Sequence, residues 1–185
     1  MGEGPPDAPL MVLGEQPGDK EDLAGEPFVG PAGRLLDRAL EEAGVPPASV
    51  FRTNVVKHFR FSGTRGKQRI HKSPSRVHVA ACGPWLVAEL AVVRPEGVVV
   101  LGGTAGKALF GSSFRVGEMR GRLVDWPEVA GTEPSPTSTP TSTPAWTPSW
   151  VLPTTHPSAV LRSRNRDEDL AALVADLRVA AEALG

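Results

Sequence analysis

Four short apolar runs constrain the fold more than anything else in this chain: "PLMVLGE" (9–15), "VFRTNVVKH" (50–58), "GVVVLGG" (97–103) and "WVLPTTHP" (150–157). They are rich in Val and Leu and do not alternate with polar residues. That is the pattern of strands covered on both faces, as in a parallel sheet. Helical patterns lie between them. "PAGRLLDRALEEAG" (31–44) opens on Pro and closes on Gly, and Leu35, Leu36, Ala39, Leu40 and Ala43 form one apolar stripe. "SPSRVHVAACGPWLVAELAVV" (73–93) starts with a Ser-Pro cap and is expected to kink or break at Pro84. "TAGKALFG" (104–111) reads as a short helix, and "DEDLAALVADLRVAAEAL" (167–184) as a terminal helix with acids in its first turn. The alternation predicts an α/β fold, a three-layer αβα sandwich around a central four-stranded parallel sheet.

A length of 185 residues suits one domain over the whole chain, 1–185. Within it, 131–149 is a Pro/Thr/Ser-rich segment with nothing to pack, expected to be a flexible insert before the last strand. The single cysteine, Cys82, rules out a disulfide framework. No stretch is read as a signal peptide or as an apolar run long enough for a membrane. The expectation is a cytoplasmic, bacterial-type protein, monomeric and without a membrane partner.

A net charge of −1 gives no global field toward nucleic acid. The distribution is more informative. From Arg52 to Arg76 there are eight basic residues and no acid. Such a run is either a solvated face or a surface that tracks phosphates. One imidazole, His71, sits inside it, in "GKQRIHKS" (66–73).

Parallel sheets bind ligands beyond the carboxyl ends of their strands. Here those ends carry "GEQPGDKED", "NVVKHFRF", "GGTAGKALFG" and "HPSAVLRS". "GGTAGK" is not a nucleotide loop. Its glycines at 102 and 106 are spaced too closely, and Ala108 replaces the Ser or Thr that would reach magnesium. Tight strand–helix packing is the expected use of these glycines.

"GEQPGDKEDLAGEPFVGPAG", "TNVVKH", "KQRIH" and "HPSAVLRS", in that order, resemble the uracil-DNA glycosylase superfamily, family-4-like branch, closest to its UdgX type. The resemblance implies uracil-containing DNA as partner, with the base flipped into a pocket. Phe28 matches the aromatic that stacks on the base. Asn54 matches the residue that reads uracil, since an amide offers a donor and an acceptor side by side. His156 matches the donor that steadies charge on the departing uracil. Gly14, Gln16, Gly18 and Asp19 border the base, with Glu21 and Asp22 close enough in sequence to place a carboxylate by the sugar. His71 matches the loop histidine that attacks the sugar carbon and stays attached, and Glu15 the residue that orients it. Lys67, Arg69 and Lys72, with Ser158 and Arg162, are expected on the DNA backbone. Gln68 stands where relatives often carry another basic residue.

Each residue also has a plain structural use: Phe28 in the core, Asn54 in a turn, His156 as a cap, the acids at a helix start. The resemblance further implies a [4Fe-4S] cluster, with His58 and Cys82 at ligand positions. Two ligands do not hold four irons securely, so a complete site is not expected from these residues. Two alternatives stay open beside a self-trapping enzyme: a conventional multiple-turnover glycosylase, and a non-catalytic DNA-binding domain.

Overall fold

A computed structural model describes residues 2–66, 68–126 and 146–185, without the side chain of Gln68. The expected insert therefore falls largely outside the described residues, as does Lys67.

The central sheet has four parallel strands, β1 (Leu10–Gly14), β2 (Val50–Asn54), β5 (Gly97–Leu101) and β6 (Trp150–Thr154), in the order β2-β1-β5-β6. Every residue of β1, β5 and β6 is buried, as their unbroken apolar composition requires. Each strand stops one to four residues before the end of the apolar run read from sequence, so Glu15, Val55 to His58, and His156 leave the sheet as exit loops.

Helices cover both faces. On one side lie α2 (Pro31–Glu42), α6 (Pro157–Arg162) and α7 (Arg166–Leu184), where Leu36, Leu40, Leu173 and Leu177 pack on Leu10, Val12 and Leu152. On the other lie α3 (Arg76–Val93) and α4 (Gly102–Phe110), where Leu86, Leu90 and Leu109 pack on Met11, Leu13 and Val100. This is the three-layer αβα arrangement. The sheet edges are blunted: Glu3 bridges Arg52 on β2, and Val124 bridges Val151 on β6. Pro153 sits in β6, an edge strand, where a missing N–H is tolerated.

The structure corrects three expectations. Pro84 does not break α3, which runs unbroken from 76 to 93 and is capped by Ser75, whose side chain pairs with His78, instead of the Ser73-Pro74 pair. Next, α3 is long and apolar enough by composition to cross a membrane, at 18 residues and mean hydropathy 1.3. Here it lies against the sheet through Leu86, Leu90 and Val93. Lastly, the basic loop is a hairpin. β3 (Phe61–Arg65) and β4 (Gln68–His71) pair antiparallel, with Phe61 opposite His71. Only one residue in it, Ile70, is aliphatic, so hydrophobic patterning had no signal for strands there.

Candidate functional site at the strand tips and hairpin

Two short helices complete the surroundings: α1 (Asp19–Ala24), directly after β1, and α5 (Val116–Met119), ahead of β6. The loop after α1 carries Phe28, whose backbone is in the left-handed region at φ 60. That is unusual for a bulky residue and costs on the order of 1–3 kcal/mol. Two features hold it there. A Cβ on Gly33, in the first turn of α2, would collide with the Phe28 carbonyl, so only glycine lets helix and loop meet. The Glu21 carboxylate accepts the Gly30 N–H at 3.1 Å. An anion at a helix start is favourable, and Gly18 and Gly30 both lie against this carboxylate. Sequence reasoning took Glu21 as a possible neighbour of the sugar and missed Gly33. A glycine inside a helical pattern was the available signal.

The result is a cluster of expected residues. A Cβ on Gly14, the last residue of β1, would collide with Asn54 Oδ1 and stand 2.8 Å from Phe28 Cζ. Gly14 is thus the gap through which the ends of β1 and β2 and the Phe28 ring meet. The Phe28 and His156 rings are nearly parallel, 25° apart in plane, with centroids 6.4 Å apart. Gly102, at φ 82, brings α4 beside His156, where a Cβ would stand 2.9 Å from the histidine's own Cβ. Close packing was the use expected of the "GGTAGK" glycines, and Gly106 likewise packs against Phe114.

Asn54 is buried, and its carbonyl accepts a hydrogen bond from Lys57 Nζ at 2.8 Å. Lys57 also donates to Thr53 Oγ1 at 2.8 Å and to Glu89 Oε2 at 2.6 Å. All three ammonium protons are used. Burial pulls this ammonium below its ordinary pKa, and the Glu89 carboxylate opposes the shift. Lys57 therefore locks the β2 exit, a role the sequence did not reveal.

His156 caps α6, and its Nδ1 accepts the Ser158 N–H at 3.1 Å. Burial, reinforced by the charges of Arg162 and His71, lowers its pKa from 6.5 to about 4. At neutral pH the ring is uncharged, and since Nδ1 accepts, the proton is on Nε2. His156 is a neutral Nε2–H donor. Ser158 contributes its backbone N–H here.

The hairpin is fastened mainly by polar groups. Gln16 Nε2 donates to the carbonyls of Arg60 at 3.4 Å and Lys72 at 3.3 Å, and its Oε1 accepts the Arg60 N–H at 3.1 Å. Gln16 was expected to border the base; its amide is instead occupied at the hairpin's two ends. Arg69 was expected on the DNA backbone; its guanidinium is occupied by the Asp19 carboxylate and main chain and by Asp22 Oδ2 at 2.8 Å. Asp19, expected near the base, pairs with Arg69 through Oδ1. Asp22 Oδ1 also accepts the Phe59 N–H at 2.9 Å. Burial pushes the Asp22 carboxyl up, but the Phe59 N–H and Arg69 outweigh it, and the net shift is down. Lys72 is exposed beside this clamp.

Through these ties His71 Nε2 stands 3.3 Å from Glu15 Oε1. That oxygen is buried and takes no hydrogen bond. The pair is within ion-pair reach without hydrogen-bond alignment. His71 is about half exposed, with 53% of its side chain open to solvent.

A separate cleft opens between α1 and the β2 exit, lined by Glu21, Asp22, Glu26, Asn54, Lys57 and His58. It shares only Asn54 with the Phe28–His156 group, and three carboxylates line it. It does not suit an anionic strand, so the site is assigned on its side chains and not on concavity.

His58 is exposed, its Nδ1 3.8 Å from Asp22 Oδ1, and Cys82 Sγ accepts the Lys57 N–H at 3.4 Å. Among the described residues no group of three or more His, Cys, Asp or Glu could hold a metal. One thiol and one imidazole do not fit a four-iron cluster.

The family described as the Uracil DNA glycosylase superfamily matches residues 1–178. The chain belongs to the uracil-DNA glycosylase superfamily. It is similar to a type-4 uracil-DNA glycosylase of Thermotoga maritima, 33% identical over 168 residues, covering 90% of this chain and 73% of that protein. A type-4 uracil-DNA glycosylase of Pyrobaculum aerophilum is 34% identical over 165 residues, covering 87% and 72%. One of Archaeoglobus fulgidus is 38% identical over 109 residues, covering 59% and 51%. In this superfamily member the glycine-bounded loop between β1 and α2 aims Phe28 at the strand tips, while the hairpin holds His71 over Glu15.

Proposed function

We propose that this protein is a uracil-DNA glycosylase of the UdgX type, which excises uracil from DNA and captures the abasic sugar on His71. The observation that carries the reading is the pairing of half-exposed His71 with the buried, hydrogen-bond-free Oε1 of Glu15, 3.3 Å away. An imidazole poised over an orphaned carboxylate oxygen is the arrangement of an oriented nucleophile.

The uracil stacks on Phe28 and is read by the Asn54 amide. The C1′–N1 bond breaks with its electron pair leaving on uracil, and the neutral Nε2–H of His156 hydrogen-bonds the oxygen where that charge accumulates. The sugar is left oxocarbenium-like, as in glycoside hydrolysis generally. One ring nitrogen of His71 then shares its electron pair with C1′. The proton on the other nitrogen is held toward Glu15, whose carboxylate balances the alkylated imidazolium. Uracil takes a proton from water. Lys67, Lys72 and Arg162 contact phosphate.

A second reading has water, not His71, capture the sugar, giving multiple turnovers. The similar relatives are named as type-4 uracil-DNA glycosylases, which is compatible with it. Incubation with a uracil-containing oligonucleotide separates the two. The proposal expects one equivalent of free uracil and a heat-stable protein–DNA band on a denaturing gel. Uracil in molar excess with no such band favours water, and no uracil at all refutes a glycosylase.

A further inference from the structure

The inner face of the hairpin holds an aromatic that the proposed chemistry does not use. Phe61 opens β3 directly opposite His71, so the two side chains share one face, about 5 Å apart at Cβ. Its ring remains 46% exposed. The buried ring of Phe59 backs it, with centroids 6.1 Å apart and planes 18° apart. The Arg69 guanidinium lies over it, 5.3 Å from the ring centre. That guanidinium is itself occupied by Asp19 and Asp22. Arg69 therefore holds the ring in place and leaves its own charge spent, so what this patch offers a ligand is a pre-set aromatic surface in a charge run with no acid from 52 to 76.

We propose that Phe61 is a stacking platform for the base next to the extruded uracil. The inference rests on the proposed function, since it places DNA against His71. When uracil leaves the stack its neighbour loses a stacking partner, and a fixed aromatic one residue-width from the attacking imidazole replaces it. Any base has a π-face, so the contact is indifferent to sequence, and it favours single-stranded or locally opened DNA over closed duplex. Phosphate contacts, by contrast, set the salt dependence of binding.

Single-turnover uracil release by the full chain, measured against protein concentration with single-stranded oligonucleotides, tests this. Phe61→Ala and Phe61→Leu should each raise the half-saturating concentration about tenfold, with the plateau rate and the salt slope unchanged. Phe61→Trp should restore wild-type affinity. A 2-aminopurine beside the uracil should be quenched by wild type and Phe61→Trp but not by Phe61→Leu. Leucine keeps the apolar bulk, so a Leu variant that binds and quenches like wild type overturns the platform. If wild type releases uracil while every Phe61 variant saturates at the same concentration, this inference fails and the glycosylase reading stands. If wild type neither binds nor cuts uracil DNA, both fail.

Discussion

The strand tips and the hairpin are held by different physics. Phe28, Asn54 and His156 are placed by a sheet in which β1, β5 and β6 are wholly buried, and by glycines at 14, 33 and 102 that let backbone and ring come together. His71 stands on a mostly exposed ribbon fastened by Gln16, by Arg69 with Asp19 and Asp22, and by the Phe59 N–H on Asp22. Burial fixes the first group as part of global stability. Polar ties fix the second locally, and their loss need not unfold the protein. On this account, reading uracil and capturing the sugar are separable.

The largest expected effect is on the sheet side. Lys57→Ala leaves Glu89 without its cation and the β2 exit unpinned. Loss of one partner of a buried pair costs about 3–5 kcal/mol, a fall in Tm on the order of 10 °C. Uracil release and adduct should drop together. Unchanged melting would show that the strand tips do not depend on this lock.

A smaller and more selective effect is expected in the hairpin. Arg69→Ala frees β4 from α1, so adduct formation should slow about tenfold or more, taking each tenfold as about 1.4 kcal/mol. Tm should move by only a few degrees, and uracil release should persist. Gel densitometry beside a uracil-release assay measures both. Parallel loss of both activities would break the separation.

Acid should sharpen it further. The folded pKa of His156, about 4, lies below its ordinary 6.5. The unfolded chain therefore takes up that proton first, and stability falls as pH drops from 6.5 toward 4. Asp22 acts in the same direction at lower pH: its carboxyl lies below the ordinary 3.8, so its tie holds above that pH and is lost as pH falls through the depressed value. Thermal melts from pH 7 to 4 should decline in wild type and decline less in His156→Gln.

The same division explains what the sequence made legible. The strands, all four expected helices and the Phe28–Asn54–His156 group follow from apolar runs and from motifs at strand ends. The hairpin was read as a loop because its pairing rests on Gln16, Arg69 and Asp22, which act across 44 to 56 residues of chain. For the same reason Gln16, Asp19 and Arg69 looked available for base and phosphate, when their polar atoms are occupied by one another's elements. Lys57 was legible only as charge, because its partner Glu89 lies 32 residues away on α3.

The most direct test of the central claim is the intact mass of the protein after incubation with a uracil-containing oligonucleotide, followed by peptide mapping. The account predicts a species equal to protein plus oligonucleotide less uracil, with the modification on His71, and its absence in His71→Ala while uracil is still released. Unmodified protein beside abasic DNA in molar excess, or an adduct mapped to another residue, would contradict it.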